Sequence, residues 1–183
     1  MISHVTFEEL TSGLSEICQS PADKGVLKAI VVRPASDDRT SLTECEISPE
    51  RGIHGDNWAM GCWMSLPNGR PHPDVQVAIM NSRAIELISP NETRRPLAGD
   101  NLYVDLNLSI DNLQPGQQLA LGSAVLEITE VEHNGCHKFA QRFGTDAVKF
   151  VNSDVGRKLR LRGIYARVVQ TGAIHTGDLI EKL

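Results

Sequence analysis

Gln118-Leu119-Ala120-Leu121-Gly122-Ser123-Ala124-Val125-Leu126-Glu127-Ile128-Thr129-Glu130-Val131 is two short apolar runs joined by a Gly-Ser turn. Runs of this length, closed by a glycine turn, read as neighbouring strands of one sheet. The pattern recurs on both sides. Gly25-Val26-Leu27-Lys28-Ala29-Ile30-Val31-Val32-Arg33 is a buried strand that stops at Pro34, and Leu42 to Ile47 alternates like a half-exposed one. Asp74 to Met80, Asn101 to Leu106, Ile164 to Val169 and Asp178 to Ile180 complete the set. Turn signals at Gln114-Pro115-Gly116 and Thr176-Gly177-Asp178 give the close spacing of a barrel or sandwich.

Helical signals are fewer. Thr6-Phe7-Glu8-Glu9 has capping-box spacing, with Phe7, Leu10, Leu14 and Ile17 on one face, so an amphipathic helix is expected over 6–19, ended by Pro21. Short helices are expected over Ser82–Ile88 and near 137–153. The fold class is therefore mainly β with short helices (α+β). We divide it into an N-terminal helical extension, 1–24, and one strand-rich domain, 25–183. The stretch 59–74, with Pro67, Asn68, Gly69, Pro71 and Pro73, is a long irregular connection of the kind that covers something.

Composition excludes several classes. A formal net charge of −5 opposes non-specific binding to nucleic acid, which needs a basic face. No apolar run approaches the ~20 residues of a membrane span, and the N-terminus lacks the basic and apolar regions of a secretory signal. The four cysteines, Cys18, Cys45, Cys62 and Cys136, show no CxxC pairing, which fits a reducing compartment and a cytoplasmic location.

Chemistry concentrates in two segments. His133-Asn134-Gly135-Cys136-His137-Lys138 places a thiol where a strand ends and a loop begins, with His133, His137, Lys138 and Arg142 as neighbours that favour thiolate. His133, Cys136 and His137 also suggest part of a zinc site, without an evident fourth ligand. Arg51-Gly52-Ile53-His54-Gly55-Asp56-Asn57-Trp58 packs glycines, a histidine, an acid and an indole into eight residues, and His54 and Asp56 are candidates for contacting substrate. Of three Gly-Asp pairs, Gly99-Asp100 and Gly177-Asp178 read as turns. Gly55-Asp56 is the one left open for a ligand.

Taken in order, Gly52–Asp56, Arg94–Leu102, Leu119–Thr129, Gly135–Phe139, Arg162–Val168 and Gly172–Asp178 resemble a MOSC domain, the module found at the C-terminus of molybdenum cofactor sulfurases. The likeness covers roughly residues 25–183. It implies a β-barrel core and a cysteine, by position Cys136, that acts as molybdenum ligand or sulfur carrier. It further implies a molybdenum-molybdopterin cofactor with basic side chains on the pterin phosphate. The candidates for cofactor contact are Arg94, Arg95, Asn101, His137, Lys138, Arg162 and Arg167. Arg162 and Arg167 point to opposite faces of a regular strand, so one of them is expected at the surface.

The activity implied is reduction of N-hydroxylated compounds, a small-molecule substrate class, with a separate partner protein supplying electrons or sulfur. Two alternatives belong to other classes: a non-catalytic cofactor-binding or sulfur-carrier module, and a barrel interaction domain with an inert cysteine. Departures from the family pattern are Gly135 in place of a proline before the cysteine and the long Trp58–Pro73 insert.

Overall fold

The computed structural model describes residues 4–183. Strands β1 (Gly25–Val32), β2 (Thr40–Leu42), β3 (Glu44–Ser48), β4 (Gly52–Ile53), β5 (Val77–Asn81), β6 (Leu102–Asp105), β7 (Gln118–Leu121), β8 (Ala124–Ile128), β9 (Ile164–Gln170), β10 (Gly172–His175) and β11 (Leu179–Lys182) form two sheets. In the larger, the order β11-β7-β8-β9-β5-β6-β1 closes on itself, because Gly25 of β1 pairs with Ile180 of β11. The result is a closed seven-strand barrel with β2 hanging from β1. Closure removes the open edges that would otherwise template aggregation. The smaller sheet, β10-β3-β4, sits beside it.

The quoted hairpin forms as expected, with Leu121 opposite Ala124 across the Gly122-Ser123 turn. One pair in the barrel is parallel, β5 with β6, and parallel strands need a crossover. Here it is α4 (Ser82–Ile88) followed by a 3₁₀ segment, Glu92–Ala98. That segment ends at Gly99 and delivers Asp100 and Asn101 to the start of β6.

Alternation decides which side chains fill the barrel. Leu27, Ile30, Val32, Ile79, Leu102, Val104, Leu126 and Ala166 point inward and form the main core. Their neighbours Val31, Met80 and Tyr103 point outward, yet they are buried too, under a helical layer. That layer contains α1 (Phe7–Ser12), α2 (Leu14–Cys18), α4, α5 (His137–Phe143) and α6 (Thr145–Asn152), with Leu10, Ile17, Phe139, Phe143 and Phe150 as its contacts. Strands covered on both faces read as continuous apolar runs, which is why β1 and β5 stood out in the sequence.

The N-terminal helix is broken at Gly13 into α1 and α2, and both halves of the Thr6–Glu9 capping box are made. Leu10 is fully buried, so this segment is part of the helical layer's core. A further short helix, α7 (Asp154–Lys158), follows α6, and a single-turn helix, α3 (Trp58–Gly61), opens the 59–74 connection. Trp58 anchors that connection by donating to the carbonyl of His72, whereas Trp63 is exposed.

Candidate functional site

Charge gathers beside β5, where the chain leaving β1 and the residues just before β6 and β9 converge. Asp100 is fully buried, and its Oδ2 lies 2.6 Å from Nη1 of Arg162, which is buried as well. Arg162 donates a second bond to the carbonyl of Ala98, and its guanidinium lies 4.8 Å from the ring centre of Phe139 on α5. Burial pushes the carboxyl of Asp100 up, and the adjacent Arg162 opposes that shift.

A second cluster adjoins the first. Arg33, one residue past β1, donates Nε to both oxygens of Asp56 at 2.9 Å and Nη2 to Oδ1 of Asn101 at 3.2 Å. Asn101 is fully buried: its Oδ1 also accepts the Ala78 amide, and its Nδ2 reaches Val31 O and the Asp56 carboxylate. The side chain thus ties β1, β5 and the 52–58 loop together.

Around Gly99 the balance is positive. Gly99 has φ +89°, and a Cβ there would stand 3.4 Å from Nη2 of Arg39 and 3.8 Å from Nη1 of Arg142. Arg142 is held by the carbonyl of Leu97 and by Asp37. Arg39 has no carboxylate in ion-pair contact among the described residues, and its Nε is buried without a hydrogen-bond partner. Burial lowers its affinity for a proton, and Arg142 and Arg33 lower it further by repulsion. Arg39 and Arg142 thus converge on the face of Gly99 while Arg33 donates to its carbonyl, and of the three Arg39 is the one without a carboxylate in ion-pair contact among the described residues.

Cys136 caps the start of α5 and is exposed. Arg142 lies in the last turn of the same short helix, about 9 Å farther along its axis. The loop before the thiol is clamped by Asn152, whose Oδ1 accepts the Gly135 amide at 2.9 Å while its Nδ2 donates to the Gly135 carbonyl at 3.0 Å. A Cβ on Gly135 would stand 2.8 Å from Val151, so the glycine lets the loop approach α6. Proline here would lack the N–H that Asn152 accepts.

The sequence candidates therefore separate. Arg162 and Asn101 meet Asp56 and Asp100 beside β5, and Cys136, His137 and Lys138 lie at the exposed start of α5. His54 is half-buried, with Nε2 3.4 Å from the Ser48 hydroxyl. Arg94 donates to the carbonyl of Arg142. Arg95 bonds Ser89 O and faces Glu86 and Glu92. Arg167 is the surface member of its pair, held by Asp74 and Glu127.

Two of the four cationic neighbours proposed for the thiol are engaged elsewhere. His133 turns toward Asp100, and Arg142 toward Asp37. No group of three or more His, Cys, Asp or Glu side chains is placed to hold a metal among the described residues. Arg33 and Arg39 escaped the sequence reading. The available signal was Arg33 itself, a charge continuing a buried apolar run directly before Pro34.

A closed barrel with a buried charge cluster and a thiol-bearing helix beside it defines a β-barrel domain with a covering helical layer. More specifically, the chain belongs to the MOSC domain family, whose model matches residues 73–181, more than half its length. The fold is shared with the YuaD protein from Bacillus subtilis, at TM-score 0.58 and 19% identity, over 87% of this chain and 95% of that one. YiiM from Geobacillus stearothermophilus (TM-score 0.56, 17% identity, 87% and 75% covered) and YiiM from Escherichia coli (0.56, 16%, 86% and 69%) are similar as well. No curated protein matches the chain in sequence at a significant level. Among the described residues no helix is long and apolar enough to cross a membrane.

Proposed function

We propose that this MOSC protein binds a phosphate-bearing cofactor of the molybdopterin type at the surface around Gly99, with Cys136 as its thiolate. The observation that carries this reading is Arg39, a guanidinium without a carboxylate beside Arg142 and the open surface of Gly99. A phosphate there would accept from Arg39 and Arg142 and relieve their mutual repulsion. Of the basic candidates named from the sequence, Arg162 underpins this region through Asp100, while Arg95 and Arg167 already face carboxylates of their own.

When bound, the cofactor would supply a metal centre for oxygen-atom removal from an N–O group, with electrons from a separate donor protein. The chain's own part is limited to holding and orienting. Arg39 and Arg142 fix the phosphate, Asn152 fixes the loop, and Cys136 presents one soft donor. A second reading, sulfur carriage without turnover, is favoured by the exposure of Cys136, since a carried sulfur must reach a partner.

The test is metal and pterin analysis of protein expressed in cells that make molybdopterin, for wild type, Arg39→Ala and Cys136→Ala. Molybdenum and pterin in wild type, both reduced in Arg39→Ala, with turnover of an amidoxime lost in Cys136→Ala, is the expected result. Persistent absence of molybdenum sinks the metal reading. A persulfide on Cys136, seen by mass spectrometry of the same samples, would then select the carrier.

A further inference from the structure

The buried pair of Asp100 and Arg162 that underpins the proposed anion site also reaches a third group. Asp100 gives Oδ2 to Arg162, and its Oδ1 faces Nδ1 of His133 at 3.4 Å. Both facing atoms are sealed from solvent and have no other hydrogen-bond partner. The His133 side chain is 10% exposed and stacks on Tyr165 at 4.3 Å between ring centres, 27° from parallel, so its plane is fixed.

Two facing acceptors are both satisfied only if one proton lies between them. A carboxylate ion-paired through its other oxygen with Arg162, at 2.6 Å, would hold that proton on Nδ1 and leave a lone pair on Nε2. Because Nδ1 is sealed, the ring's remaining exposure lies on its other edge. His133 borders a cleft of about 310 Å³, alongside Thr129, Asn134 and Arg162. Neither Cys136 nor Arg39 lines this cleft.

We propose that His133 is the proton-accepting group of this cleft, positioned by Asp100 and Arg162, for a small neutral ligand carrying a weakly acidic O–H or N–H. In the step, the ligand's O–H bond breaks and its electron pair stays on oxygen. The proton bonds to Nε2, and the Nδ1 proton moves to Oδ1 of Asp100. The imidazole ends neutral in its other tautomer and Asp100 ends as the neutral acid. Arg162 is left as an uncompensated cation opposite the new ligand anion. The groups facing the ring are Asp100, Arg162, Arg33 and the phenol of Tyr165. Burial raises the carboxyl of Asp100, which helps it take the relayed proton, while burial and the two arginines depress imidazolium formation, so the proton is passed on rather than kept as a second charge on the ring.

The inference requires neither Cys136 nor a cofactor, so failure of the molybdopterin reading leaves it standing. The test is nitrogen NMR of the histidine-labelled protein without cofactor. The resonance pair that disappears in His133→Gln should show a protonated Nδ1 and a bare Nε2 from about pH 8 to about pH 5.5, below the ordinary histidine range. Saturation with acetohydroxamic acid should move Nε2 to the protonated position, and its O-methyl ester, which has no O–H, should leave it in place. A protonated Nε2 in the free protein overturns the proposal. So does an equal response to both compounds, or a response to neither. Asp100→Asn should let the tautomer mix, and because the wild-type measurement decides alone, a variant that does not fold costs nothing.

Discussion

Asp100 and Arg162 meet at 2.6 Å with both side chains almost wholly removed from water, from the segments that enter β6 and β9 on either side of β5. A pair of this kind is expensive to break from one side, because the survivor is a buried unpaired charge. Arg162→Met should therefore destabilise the protein by about 3–5 kcal/mol in urea unfolding. The double variant Asp100→Asn with Arg162→Met should recover much of that loss. Equal losses in the single and double variants would show that packing on Phe139, and not charge, is what Arg162 supplies.

His133 makes stability depend on pH. Its folded-state affinity for a proton lies well below the ordinary histidine value, so the unfolded chain takes up a proton first as pH falls. The stabilisation is thus complete above about pH 6.5 and is lost below it, by up to about 1.4 kcal/mol per pH unit. Wild type should weaken relative to His133→Gln between about pH 6.5 and pH 5. Parallel curves for the two proteins would contradict the assignment.

The cysteines should label in order of exposure and ionisation. Burial pushes the Cys45 thiol up to about 11, leaving about one part in a thousand as thiolate at pH 8, whereas Cys136 is exposed. Iodoacetamide at that pH should modify Cys136 at least ~100-fold faster than Cys45, read by peptide mass spectrometry.

Asn152→Ala removes both bonds that hold the Gly135 peptide. A loss of about 1–2 kcal/mol is expected, with faster proteolytic cleavage near residue 135. An unchanged cleavage rate would mean that the loop is held by other contacts.

Arg39→Gln removes one of the converging guanidiniums, so the cofactor-free protein should melt at the same temperature or higher. The stabilisation that wild type gains from added inorganic phosphate should disappear at the same time. A large drop in melting temperature would make Arg39 a structural residue.

The strands were legible because barrel strands repeat simple patterns, alternating in the hairpin β7–β8 and continuous in β1 and β5. Strand β10 was missed, since Gly172-Ala173-Ile174-His175 is half polar and is a strand only because it pairs with Cys45 and its neighbours. The expected single helix over 6–19 broke at Gly13, where local propensity is weakest. In the site, Gly99-Asp100 read as a turn. The glycine does turn the chain, but Asp100 proved to be the most buried charge of the cluster.

By itself, the sequence determined the strand-rich class, the short helices, the family likeness that implied a barrel, and the place of Cys136 at the end of a strand, because hydrophobic period and turn chemistry are local properties. Only the tertiary structure decided which charges meet. The pairing of Asp100 with Arg162 and His133, of Asp56 with Arg33, and of Gly99 with Arg39 and Arg142 each spans tens of residues. Closure of the barrel brings those segments together, and burial then sets the protonation and the partners of the groups it encloses.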